Sequence, residues 1–136
     1  VHELARYTLI DDTYNANPTS MKASLDVLVK CSGRRVAILG DMRELGSSAP
    51  QMHEDIGRYA ASLGIERVLC VGSESKKMFE GAKVIAPGCA DYVETQEDLL
   101  AALPTLVFEG DIILVKASRG MHLENTVDLL LSLSAS

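Results

Sequence analysis

The sequence predicts a single doubly wound, Rossmann-like α/β domain, with a mostly parallel sheet and helices on both faces. Three observations lead there. Short runs rich in Val, Ile and Leu alternate with longer segments of helical period along the whole chain. Two of the runs, "RVAILG" (35–40) and "DIILVKA" (111–117), are continuously apolar, the pattern of strands buried on both faces. The chain's 136 residues, 47% hydrophobic and 24% charged, suffice for one packed core.

The elements follow in order. "YTLID" (7–11) reads as the first strand. Asn17 and Pro18 then read as a helix N-cap and a proline at the first helical position. Met21, Leu25, Leu28 and Val29 fall on one face of that helix, which ends towards Gly33. After the strand at 35–40, Ser48 and Pro50 open a second helix with Met52, Ile56, Tyr59, Ala60 and Leu63 as its stripe, stopped by Gly64. "RVLCVG" (67–72) is the third strand. "SESKKMFEG" (73–81) is expected to be a short helix and "KVIA" (83–86) a short strand. Thr95 and Asp98 resemble a capping box for a helix that buries Leu99, Leu100 and Leu103 before Pro104. After the strand at 111–117, Leu123, Val127, Leu130 and Leu131 mark the last helix. Right-handed crossovers convert this β-α alternation into the doubly wound sheet.

Composition narrows the function. A net charge of −6 with no basic run argues against a general nucleic-acid or anionic-membrane binder. No apolar run approaches the length of a membrane span. Cys31, Cys70 and Cys89 have neither disulfide-framework nor zinc spacing, so a reducing cytoplasm is the expected compartment and no metal site is expected. His2, His53 and His122 are scattered, and His53 and His122 are expected at helix surfaces or caps. There is no GxGxxG, GxxxxGK[ST] or GxSxG motif. A chain opening on Val1 without Met is expected to continue a longer protein.

In doubly wound sheets ligands gather at the carboxyl ends of the strands. Those ends carry Asp11-Asp12, Gly40-Asp41, Gly72-Ser73 and Lys116-Ala117-Ser118-Arg119. Lys116 ends an apolar strand, where an ammonium needs a partner or a polar cleft. Two readings stand: with Arg119 it holds a carboxylate or phosphate, or it forms an internal ion pair with Asp11, Asp12 or Asp41. Asp12 and Asn17 likewise serve either a ligand or the local turn and cap. A receiver-like binding module has a related layout, but it needs an aspartate at the end of the third strand, where this chain reads "CVGSES".

Three stretches together carry a family resemblance: "IDDTYNANPTSM" (10–21), "LGDMRELG" (39–46) and "VKASRGMHLE" (115–124). They resemble the C-terminal domain of the Mur ligases, and most closely the branch that adds a D-Ala-D-Ala dipeptide to a UDP-linked muramoyl tripeptide. The resemblance spans residues 1–136. It implies one domain of a three-domain, monomeric, cytoplasmic enzyme that uses ATP and Mg2+, both held mainly by a central domain not present in this chain. The tripeptide carboxylate would be activated as an acyl phosphate and the dipeptide amine would attack it. Carried onto this sequence, Asp11, Tyr14, Asn15 and Asn17 would line the nucleotide side of the cleft. Asp41, Glu44, Lys116, Ser118 and Arg119 would face the amino component. Family members usually show glycine where this chain has Ala117. By itself the domain is expected to be a closing lid with a substrate pocket, without turnover.

Overall fold

A computed structural model describes residues 2–3, 7–12 and 16–135, with side chains for 7–12 and 16–133. The strands are β1 (His2–Glu3), β2 (Thr8–Asp12), β3 (Arg35–Gly40), β4 (Arg67–Val71), β5 (Ala90–Val93) and β6 (Ile112–Lys116). The helices are α1 (Pro18–Val29), α2 (Ala49–Ser62), α3 (Ser75–Ile85), α4 (Gln96–Leu106) and α5 (Glu124–Ala135). Spatial order in the sheet is β1-β2-β6-β3-β4-β5. β2 through β6 are parallel, and the two-residue β1 adds an antiparallel edge to β2.

The side-chain period of two divides each central strand between two cores. Ala37 and Leu39 of β3, with Leu114 of β6, join Met21, Leu25, Ile56, Ala60 and Met78 of α1, α2 and α3. Val36 and Ile38, with Ile113 and Val115, join Leu99, Leu103, Val127 and Leu130 of α4 and α5. The handedness rule explains this segregation. The connections β2→β3, β3→β4 and β4→β5 all step one way across the sheet, so their right-handed crossovers share a face. The step β5→β6 runs back, which puts α4 on the other face. β6 therefore inserts between β2 and β3, and chains leaving the ends of these three strands part to opposite sides. That is the switch point where such sheets bind ligands.

Several elements are built as the sequence implies. Asn17 Oδ1 accepts the Ser20 N–H at 2.9 Å, and Ser20 Oγ accepts the Asn17 N–H at 3.0 Å, with Pro18 opening α1. Thr95 Oγ1 accepts the Asp98 N–H at 3.1 Å to cap α4. Three expectations change. "KVIA" is not a strand: residues 83–85 complete α3, with Val84 and Ile85 exposed, and the chain turns at Pro87-Gly88 before β5. Pro104 lies inside α4, which runs on to Leu106. The buried side of α2 is rotated towards His53, Ile56, Gly57, Ala60 and Ala61, leaving Met52, Tyr59 and Leu63 at its margin.

The rotation of α2 follows from how closely it packs on α3. A Cβ placed on Gly57 would lie 1.8 Å from the Met78 carbonyl oxygen, and one on Gly81 would lie 2.2 Å from that of Glu54. Backbone meets backbone at both points, and only glycine permits it.

Candidate functional site

The chain leaving β3 shapes the site. Beyond Gly40 it loses its ladder partners, and its buried amides and carbonyls need new ones. Two neighbouring elements supply them, and a third holds the Asp41 side chain. The Asp41 carbonyl accepts the Ser118 N–H at 3.0 Å, and the Arg43 N–H donates to Ser118 Oγ at 2.9 Å, so the segment after β6 holds one side. The Met42 N–H donates to His53 Nε2 at 3.0 Å, from α2. Asp41 Oδ1 accepts both the Ser75 N–H (2.8 Å) and the Ser75 hydroxyl (2.7 Å), at the start of α3. Gly72, at φ +116°, makes room for this carboxylate, since a Cβ there would sit 2.4 Å from Asp41 Oδ1.

The next residue, Glu44, has φ +61°. A left-handed glutamate costs about 1–2 kcal/mol, and here it sits on the rim of a pocket. The pocket has a volume of about 260 Å³ and is lined by Ala16, Arg43, Glu44, Ser118, Arg119 and Gly120. Those residues come from the connections after β2, β3 and β6, so the pocket occupies the switch point itself. Arg43, Glu44 and Arg119 give its lining two cationic residues and one anionic one, a charge pattern complementary to a zwitterion. Arg119 opens a 3-10 turn (Arg119–Met121) that ends at His122 in the left-handed region, φ +56°.

The structure brings together Glu44, Ser118 and Arg119 among the expected amino-component residues, and adds Arg43, which the sequence reading missed. Its signal was available: residues 43 and 44 are consecutive in "GDMRELG" and both leave the loop towards solvent. Two expected members are placed differently. The Asp41 carboxylate is 4% exposed and caps α3 through Ser75. Lys116, 2% exposed, pairs with Asp12 Oδ2 at 2.6 Å, and the Ser24 hydroxyl donates to the same oxygen at 2.9 Å. The internal ion pair is therefore the reading of Lys116 that the geometry supports. Both placements have one cause: charged groups on buried strand ends are desolvated, and burial is tolerated only against a fixed partner.

On the other side of β6, Asp11 is exposed at the end of β2, and Asn17 spends its side-chain oxygen on the α1 cap. Tyr14 and Asn15 lie outside the described residues. His122 is exposed as expected, beside Glu124 Oε1 at 3.3 Å. His53 is not: it is fully buried.

Asp41, His53 and Glu74 bring possible ligand atoms within 4.8 Å of one another. Two of the three are committed to other hydrogen bonds, Asp41 to Ser75 and His53 to Met42 and Ala49, and the set does not suit a cation. His53 Nδ1 faces the Ala49 carbonyl at 2.7 Å and Nε2 faces the Met42 N–H, so neither ring nitrogen has a lone pair to give. Cys70, fully enclosed on β4, has its thiol pushed up by burial, which makes it a poor nucleophile. Beside it, burial first and the charges of Glu94 and Asp41 next raise the Tyr92 phenol, whose hydroxyl donates to the Gly72 carbonyl at 3.0 Å.

Fold and site together define a doubly wound binding domain with a pocket of mixed charge at its switch point. The family model described as "Mur ligase, glutamate ligase domain" matches residues 1–119, and the chain belongs to that family. It is 39% identical over 124 residues to the UDP-N-acetylmuramoyl-tripeptide–D-alanyl-D-alanine ligase of Escherichia coli, covering 90% of this chain and 26% of that protein. The crystal structure of MurF from Acinetobacter baumannii superposes with a TM-score of 0.81 at 36% identity, covering 94% of this chain and 27% of that one. MurF ligase from Thermotoga maritima in complex with ADP gives a TM-score of 0.81 at 26% identity, over 97% of this chain and 30% of that one. The chain thus spans about a quarter of the length of the relatives it matches. Among the described residues no helix is long and apolar enough to cross a membrane.

Proposed function

We propose that this chain is the amino-component-binding and closing domain of an ATP-dependent ligase that joins D-Ala-D-Ala to UDP-N-acetylmuramoyl-tripeptide. The observation that carries the reading is the pocket at the switch point. Arg43 and Arg119 suit the dipeptide carboxylate as planar donors, and Glu44 suits its ammonium until the neutral amine attacks. Ser118 fixes the loop and presents its hydroxyl at the same rim. The relatives whose names state this substrate pair share the chain's sequence over nine-tenths of its length.

When bound, ATP with Mg2+ supplies the phosphoryl group that activates the tripeptide carboxylate. The residues in this chain fit the ribose better than the phosphates. Asp11 offers an exposed carboxylate at the end of β2, suited to hydroxyl donors, and the loop after it has no glycine-rich cradle. Tyr14, Asn15 and Asn17 would continue this nucleotide-facing edge, Asn17 through its amide N–H groups. The domain contributes position and exclusion of water, which is where enzymes of this kind gain rate.

The test is phosphate release by the full-length protein with ATP, UDP-linked tripeptide and D-Ala-D-Ala, beside an Arg119→Ala variant. Release is expected to require the dipeptide, and the variant to raise the dipeptide KM by about 10- to 100-fold, the loss of a charge-assisted contact. Wild-type protein that folds and binds ATP but releases no phosphate in response to the dipeptide would sink the reading.

A further inference from the structure

We propose that His53 is a positioning residue for this pocket: its Nε2 tethers the Met42 amide and thereby holds Arg43 and Glu44 in place. The inference rests on the reading of the pocket as the amino-component site. The partners assign the imidazole's state. The Ala49 carbonyl can only accept, so Nδ1 carries the proton; the Met42 N–H can only donate, so Nε2 presents its lone pair. The ring is therefore neutral and its tautomer fixed from both ends. It lies wholly inside the protein, where no solvent can take over the amide if the acceptor is lost.

What the tether controls is the strained step that follows. Glu44, two residues on, is held at φ +61°, a conformation a glutamate does not keep by its own preference. The Ser118 contacts fix Asp41 and Arg43 from the β6 side, and His53 fixes Met42 from the α2 side. With the second hold removed, the loop can rotate about the Ser118 contacts, and Glu44 relaxes to negative φ. Its carboxylate then leaves the rim, and Arg43 leaves with it. The hydrogen bonds of His53 go to the Ala49 carbonyl and the Met42 amide, so it acts on the pocket through the backbone of residue 42.

Two substitutions divide the imidazole between them. His53→Asn keeps a donor where Nδ1 stands and has no atom at Nε2; His53→Gln places an amide oxygen near the Nε2 position. In the full-length enzyme, H53N is expected to raise the KM for D-Ala-D-Ala about ten-fold, with the KM values for ATP and UDP-tripeptide within about two-fold of wild type. H53Q is expected to restore the dipeptide KM. Exchange of the Met42 amide, read by NMR or mass spectrometry, should speed up in H53N and remain protected in H53Q. A folded H53N with an unchanged dipeptide KM, or equal rises for all three substrates, would overturn the proposal. So would a folded H53Q with a raised dipeptide KM and a Met42 amide that exchanges faster than in wild type, which keeps the test decisive if H53N does not fold. If the wild type itself shows no dipeptide-dependent turnover, the ligase reading fails. Met42 exchange then still decides the tether, and equal protection in wild type and H53N refutes it.

Discussion

Gly57→Ala gives opposite signs under two physical arguments. From helix propensity alone, replacing a mid-helix glycine with alanine stabilises by about 1 kcal/mol. In this fold the new methyl would lie 1.8 Å from the Met78 carbonyl oxygen, 2.7 Å from its carbon and 3.0 Å from the Ala82 nitrogen. These atoms belong to the α3 backbone, so no rotamer change relieves the clash. α2 and α3 must part by about 1.2 Å before the nearest contact reaches the 3.0 Å that real Cβ atoms respect. That movement loosens Ile56, Ala60, Met78 and Ala82, all buried between the helices and the sheet. Overpacking of this kind costs about 1–3 kcal/mol and the lost contacts add to it, so after the propensity gain the net destabilisation is about 2 kcal/mol. Urea unfolding should show a lower midpoint at unchanged m value, and thermal unfolding a Tm lower by roughly 6–10 °C. A variant as stable as the wild type, or more so, would refute the close backbone approach. The same displacement separates His53 from Ser75, two of the anchors of the 41–42 segment, so residual folded G57A should also bind the dipeptide more weakly.

Two further outcomes concern charge. Glu66 is held at a pKa of about 2, chiefly by its hydrogen bond to the Arg35 side chain, against an ordinary value of 4.5. A depressed carboxyl stabilises above its unfolded pKa and loses that contribution as pH falls through the folded one. The difference between wild type and Glu66→Gln should therefore be complete at neutral pH and vanish between about pH 4.5 and pH 2 in acid-unfolding curves. Because the Glu66 side chain is 38% exposed, solvent screening holds the difference to about 1 kcal/mol. Asp12→Asn removes the carboxylate that meets the 2%-exposed Lys116 ammonium at 2.6 Å, and should cost about 2–3 kcal/mol in denaturant unfolding. If Lys116 instead faced a ligand pocket, D12N would leave stability within about 0.5 kcal/mol of wild type.

The parallel sheet was legible because its signals are local and redundant. Continuous apolar runs, Asn17-Pro18, Thr95 and the stop at Gly64 each report a few residues of backbone, and crossover handedness arranges them. Errors arose where a local signal competed with a distant one. Val84 and Ile85 are β-branched and read as strand, yet the turn of helix begun by Met78 and Ala82 carries through them. His53 reads as a surface residue because nothing in α2 announces that an amide eleven residues earlier needs an acceptor. Lys116 needs a partner on sequence grounds alone, but the choice between ligand and Asp12 depends on strand register: β2 and β6 place residues 12 and 116 opposite each other. The departure at Ala117 has an explanation that periodicity could not supply. A Cβ on Gly40 would lie 2.6 Å from the Ala117 methyl, so the glycine ending β3 provides the room that this methyl, just past β6, requires.

A closing domain must present its pocket in the right shape before it meets the rest of the enzyme, since ordering a loop at that moment would weaken binding. The segment 41–44 has this property by construction. Its polar backbone groups are met by the segment after β6 and by α2, and the Asp41 carboxylate accepts from Ser75 at the α3 terminus. Arg43, Glu44 and Arg119 are the exposed charged side chains at the rim, and on the proposed reading they are the groups that meet the amino component. The burial of Asp41 and His53 and the exposure of their neighbours are thus two sides of one arrangement: hydrogen-bonded groups beneath, exposed charges above. It follows that substitutions beneath the rim should reduce affinity for the amino component, because they remove the preorganisation on which the exposed groups depend.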